Sequence, residues 1–272
     1  MFDLIRFIKR FTAIILLLGA VFAGYKMYGM ASQYREGQQT YSQLQQAVNT
    51  PTPASAPTPG LTEDIPPPAE NLPAESAEEE KESPVLPITI DFDMLMAKNS
   101  DTVGWVCIEG TNINYPVVQG EDNRHYVSTL FDGSVNQAGS IFMDYRNDPG
   151  LTDVHTIIYG HNMRDKSMFA DILNYQDQLY YDEHPVGFYI TPEKSYSFEL
   201  VSAYVASLAE PAWQLEFVAE EEATQWLSDA MARSTFVSRA EPQPGDRIIT
   251  LSTCTYEFEE ARFVLVGLLK EL

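Results

Sequence analysis

A mainly β domain, built as a small mixed or closed barrel, is the fold class this sequence predicts. Three observations carry it. Apolar and aromatic residues are sparse between about residue 31 and residue 88 and dense from Ile88 onward. Within the dense part, eight runs rich in β-branched and aromatic residues are punctuated by Gly, Asn, Asp and Pro. Only a few segments there carry apolar residues at helical spacing.

The chain divides into three parts. In residues 1–30, Arg6, Lys9 and Arg10 precede the apolar stretch from Phe11 to Tyr25. Continued through Met27 and Met30, it reaches roughly 20 residues, enough to cross a bilayer. The basic flank places the N-terminus in the cytoplasm and the rest outside, as a single-pass signal anchor. A cleaved signal peptide competes with this reading, because Val21-Phe22-Ala23 resembles a small-residue cleavage site. Both readings export the rest of the chain. Residues 31–87 comprise a polar, Gln-rich, helix-tolerant stalk and then a linker with Pro66-Pro67-Pro68 and Glu78-Glu79-Glu80. The linker holds too little apolar surface to offset its ordering entropy, so it is expected to be a disordered, extended spacer.

Residues 88–272 form a block of roughly 180 residues, ample for one core and modest for two. Ile90–Lys98 reads as a short helix. The strands expected after it are Val103–Ile108, Tyr115–Val118, Ser140–Met143, Thr156–Tyr159, Phe188–Ile190, Tyr196–Ala206, Arg247–Ser252 and Phe263–Leu269. Lys166–Tyr175 and Glu220–Met231 show helical spacing, the second with an acidic first turn that suits a helix N-terminus.

A net charge of −22 repels polyanions and argues against a nucleic-acid partner. The two cysteines and four histidines match no zinc spacing, and the acidic residues form no loop with calcium-ligand spacing. No metal and no cofactor is therefore expected. A disulfide between Cys107 and Cys254 is arithmetically possible in an oxidising compartment. Cys107, in the apolar run Gly104-Trp105-Val106-Cys107-Ile108, reads as a buried structural residue.

Two constellations carry chemistry. The run from Arg247 to Cys254 ends abruptly in a cysteine before a polar loop, and Arg262 opens the next apolar run. A hairpin would return Arg262 beside Cys254, where a permanent cation lowers a thiol pKa or holds an oxyanion. Taken by composition alone, a buried strand-end cysteine and a solvated arginine fit equally well. The second is Ile157-Ile158-Tyr159-Gly160-His161-Asn162-Met163, where a strand ends, glycine allows a tight turn and a histidine comes next. A cysteine nucleophile needs such a proton carrier. His125 and His184 lie in polar loops, and His155 reads as a surface residue or one behind the site.

These residues resemble the sortase family. Thr250-Leu251-Ser252-Thr253-Cys254 is similar to its nucleophile motif and Tyr159-Gly160-His161-Asn162-Met163 to its histidine motif. Val103-Gly104-Trp105, Asn114-Tyr115-Pro116-Val117-Val118-Gln119, Asp122-Asn123 with Tyr126, Gly139-Ser140-Ile141-Phe142 and Met168-Phe169 narrow the resemblance to class B. The resemblance implies a closed eight-stranded β-barrel with peripheral helices, one of them in the Leu208–Arg239 connection. It also implies a cysteine transpeptidase that cleaves the C-terminal sorting motif of surface proteins after threonine. The acyl group would pass to an amine, of a cell-wall peptide or of a pilin lysine. In these roles Cys254 is the nucleophile, His161 the general acid and base, and Arg262 the oxyanion stabiliser. Ser252, Asn123 and Thr253 fall in the peptide groove. Val127 stands where the family often has leucine, and Tyr256 where some members carry an acidic residue, so no triad is assigned. A cysteine hydrolase would use the same residues, and a stalked adhesin would share the anchor and linker.

Overall fold

The computed structural model describes residues 2–48, 86, 88–255, 257 and 260–272. The expected linker lies outside these residues, apart from Leu86, which packs against the core.

Eight strands form: β1 (Thr102–Ile108), β2 (Asn114–Val118), β3 (Ile141–Met143), β4 (His155–Tyr159), β5 (Val186–Ile190), β6 (Ser195–Ser207), β7 (Arg247–Cys254) and β8 (Ala261–Glu271). They close into a barrel in the order β1-β2-β3-β4-β7-β8-β6-β5, sealed where β1 pairs antiparallel with β5. All eight correspond to runs expected from the sequence, because each combines β-branched or aromatic residues with flanking turn formers. Two neighbours, β2 with β3 and β4 with β7, run parallel. The interior is filled by large side chains, among them Trp105, Tyr189, Phe198 and Phe263.

Among the described residues, four α-helices lie outside the barrel: α1 (Phe2–Val48), α2 (Phe92–Lys98), α3 (Gln178–Glu183) and α4 (Glu220–Ala232). The Asp91 carboxylate caps α2 by accepting from the Met94 amide at 2.9 Å. Helix α4 lays Trp226, Leu227 and Ala230 against Val201, Tyr204, Val264, Val266 and Leu268 of β6 and β8. This second cluster is set on the outer face of the barrel wall.

Two regions differ from expectation. Lys166–Tyr175 is not an α-helix: Lys166 and Met168 have positive φ, and a 3-10 turn runs from Ala170 to Gln176. Its apolar residues are spaced by the burial of Met168, Phe169, Ile172 and Tyr175 in the core. The Met168 amide donates to the Tyr115 hydroxyl at 2.9 Å, a tertiary bond that fixes the extended start. The second difference is in α1. It is long and apolar enough to cross a membrane over Ile14–Gln46, exposed through Met30, yet the same helix runs on through the polar stretch expected as a stalk. There Tyr41 and Leu44 are buried against the barrel, and the Gln45 amide donates to the Asn114 carbonyl at 2.7 Å.

Candidate active site

The parallel pairing of β4 and β7 positions the site. Tyr159 is in register with Ser252, so two residues further on both strands deliver His161 and Cys254 to the same end of the barrel. On the other side of β7, Cys254 pairs directly with Arg262 of β8. Directly opposed residues in an antiparallel pair project to one face, with Cβ atoms about 4.5–5.5 Å apart. Strand register thus brings His161, distant in sequence, to the same barrel end as the Cys254–Arg262 hairpin pair.

Local bonds lock the two strand ends together. The Gly160 amide donates to the Ser252 carbonyl at 3.1 Å, and the Thr253 hydroxyl to the Gly160 carbonyl at 2.7 Å. The Asn162 side chain donates to the Cys254 carbonyl at 3.1 Å. Glycine is required at 160 because a Cβ there would meet Ile141 Cδ1 at 2.4 Å and the Phe169 ring at 2.7 Å. The His161 loop passes that close over the core.

His161 Nε2 lies 2.7 Å from the Val127 carbonyl oxygen. A carbonyl only accepts, so Nε2 carries a proton and Nδ1 is the nitrogen left to exchange one. The Arg262 Nη1 donates to the Ala261 carbonyl at 3.0 Å, which steadies the guanidinium and leaves most of its donors available. Beyond the strand end, the Thr255 hydroxyl donates to the Glu257 carboxylate.

A cleft of about 310 Å³ opens over these groups, lined by His161, Cys254 and Arg262 together with Asn123, Ser252 and Thr253. All six residues singled out in the sequence therefore border one cavity, and Val127, Phe142, Tyr159 and Leu208 supply its apolar walls. The cleft residues are not equivalent. Asn123 is occupied by structure: its amide donates to Asp144 at 3.0 Å and its carbonyl accepts from the Tyr145 amide. Asp144 also accepts from Tyr159 and, through two nitrogens, from Arg146, and these bonds outweigh burial to hold its carboxyl below the usual range. The Ser252 hydroxyl accepts from Trp213 Nε1 at 3.2 Å, a supporting residue outside the cleft lining that sequence reasoning missed. Its signal, a tryptophan in a polar connection, had no local periodicity to mark it.

The remaining cysteine and histidines sort clearly. Cys107 and Cys254 are both free thiols. Cys107 is buried on β1, and desolvation pushes its pKa up to about 12, so it is a poor nucleophile. Cys254 is partly exposed at the cleft. His155, expected at the surface or just behind the site, is instead fully buried as the first residue of β4. Burial drives its pKa down to about 4.

A partly exposed strand-end thiol that lines one cleft with an imidazole and a guanidinium is the arrangement a cysteine acyl-transfer site on a β-barrel needs. The sortase domain family matches residues 106–270. Sortase B of Listeria monocytogenes is 38% identical over 175 residues, covering 64% of this chain and 71% of the relative. Among solved structures, the Staphylococcus aureus sortase B–substrate complex aligns with a TM-score of 0.64 at 32% identity, covering 66% of this chain and 85% of that one. A sortase B complexed with triglycine aligns at 0.63 and 32%, covering 66% and 86%. This chain belongs to the sortase family, in its class B branch, and is a cysteine transpeptidase.

Proposed function

We propose that this transpeptidase cuts the C-terminal sorting motif of surface proteins after threonine and joins the new carboxyl end to an amine of the cell-wall peptide. The observation that carries this reading is the shared cleft of Cys254, His161 and Arg262. The Cys254 thiolate attacks the scissile carbonyl, and a C–S bond forms as the carbonyl π electrons move onto oxygen. Arg262 stabilises that oxyanion. Collapse breaks the C–N bond, and His161 supplies the proton that leaves with the amine. An incoming amine attacks the thioacyl carbon, His161 takes its proton, and the thiolate departs.

The likeness to a sortase B–substrate complex and to a sortase B complexed with triglycine supports a peptide donor and an amine acceptor for this chain. We place the exposed apolar part of α1 across the cell membrane, with the basic tip inside and the barrel outside.

The test uses the full-length chain in detergent with a quenched sorting-motif peptide, with and without triglycine. Wild type should give a ligated product when the amine is present. Cys254→Ala and His161→Ala should each lose cleavage while melting near the wild-type temperature. Normal turnover by Cys254→Ala would end this reading, and release to water alone, unaffected by amine, would redefine the enzyme as a hydrolase.

A further inference from the structure

The connection between β6 and β7 borders the cleft through Leu208 and reaches Ser252 through the Trp213 indole. Its short 3-10 turn, Pro211–Trp213, is gripped at both ends by buried donors. At one end Trp226 Nε1 of α4 donates to the Pro211 carbonyl at 2.7 Å. At the other, His155 Nδ1 lies 2.6 Å from the Gln214 carbonyl oxygen. Because a carbonyl has no proton to give, Nδ1 donates. Nε2 is then an acceptor, and the Thr250 hydroxyl donates to it at 2.7 Å.

Both nitrogens of His155 are therefore committed and its tautomer is fixed. The ring lies 4.7 Å from that of Trp226, so the two donors also brace each other. Burial keeps the imidazole uncharged at neutral pH. A group held this way carries no proton traffic. It holds backbone in place.

We propose that His155 is a positioning residue for peptide binding: with Trp226 it clamps the Pro211–Gln214 turn so that Trp213 reaches Ser252 and the wall beside Leu208 keeps its shape. Strand β4 then serves the cleft from both ends, with the proton carrier His161 beyond one and the wall anchor His155 at the other. The peptide-binding part of this inference rests on the transpeptidase reading; the clamp itself does not.

The experiment compares wild type and His155→Phe as full-length chains in detergent. Phenylalanine keeps an aromatic ring against Trp226 and deletes both hydrogen bonds. The activity-free readout is hydrogen exchange at the Trp213 indole N–H. It should speed up in His155→Phe while the Trp105 indole, bonded to Asn114 inside the barrel, stays protected. With a sorting-motif peptide, KM should rise roughly tenfold, about what one lost buried hydrogen bond is worth, and kcat should change much less. Iodoacetamide should alkylate Cys254 at the wild-type rate. In a Trp213→Phe background, adding His155→Phe should raise KM no further. Trp226→Phe, which removes the other grip, should show the same KM signature and stands in if His155→Phe fails to fold. Unchanged Trp213 exchange overturns the clamp whatever the activity. Altered exchange with unchanged KM, or equal effects in both backgrounds, overturns its role in peptide binding. A wild type that cleaves no peptide, with Trp213 exchange still altered, overturns the transpeptidase reading and leaves the clamp standing.

Discussion

The hydroxyl of Tyr41 donates to the carbonyl of Gly139 at 2.6 Å, tying the long N-terminal helix to the loop behind His161. Gly139 has φ of 56°, and a Cβ there would meet the Val127 carbonyl oxygen at 2.6 Å. That same oxygen receives the His161 ring proton. The helix that carries the apolar segment thus braces the imidazole through one intervening loop.

Tyr41→Phe should therefore destabilise the folded chain. It deletes a buried hydrogen bond and leaves the Gly139 carbonyl short of a partner, at about 1–2 kcal/mol. Thermal melts of the full chain in detergent should fall by roughly 2–4 °C. Removing the whole docked stretch, residues 31–48, should cost more, because Leu44 and the Gln45–Asn114 bond go with it. An unchanged melt in both variants would show that the docking contributes nothing.

Arg262 is opposite Cys254 in the β7–β8 ladder, so strand register roots its side chain beside the thiol. Arg262→Lys keeps the charge and loses the planar fork of donors. If the guanidinium holds the oxyanion, kcat should drop by roughly a hundredfold or more while the melting temperature barely moves, as for loss of a preorganised oxyanion donor. Steady-state kinetics on a sorting-motif peptide decide the matter. A lysine enzyme with wild-type kcat would remove Arg262 from the chemistry.

Gly160→Ala tests whether close packing under the histidine loop matters to the site. The added methyl would overlap Ile141 and Phe169, and overpacking of this kind costs roughly 1–3 kcal/mol. Because His161 is the next residue, the displacement falls on the catalytic side. Activity should drop at least roughly tenfold at temperatures where the variant is still folded, a loss of reach rather than of fold. Equal losses of stability and activity, with full activity restored on cooling, would contradict this.

The strands, and the convergence of Cys254, His161 and Arg262 on one cleft, were legible in the sequence for a physical reason. Each strand alternates or runs apolar between turn-forming residues; Cys254 and His161 sit where such a run stops and Arg262 where one starts. What was hidden depends on contacts between distant segments. The docking stripe Tyr34, Gly37, Tyr41 and Leu44 has helical spacing, but sits among glutamines and reads as solvated until the surface it meets is known. Lys166–Tyr175 shows apolar spacing that a helix would also produce, and tertiary contacts such as the Tyr115–Met168 bond and the Asn162–Met168 bridge choose the extended start. The sequence leaves His155 at the surface or behind the site because its partners, Gln214 and Thr250, lie 59 and 95 residues away.

His155 also predicts how stability depends on pH. In the unfolded chain its imidazole titrates near 6.5, whereas burial holds it near 4 in the fold. Between those values the unfolded chain binds a proton that the folded chain refuses. The stabilisation is complete above about pH 6.5, declines as pH falls toward 4, and levels off below that. A gap of this size corresponds to about 3 kcal/mol. Carboxylates complicate the raw curve, since Asp144 has a depressed pKa and loses its own contribution only at more acid pH. Comparison with His155→Phe isolates the histidine. The variant should be less stable than wild type at pH 7, and that difference should shrink steadily between pH 6.5 and 4. A difference that stays constant across this window would mean that the folded protein tolerates a charged imidazole at this position.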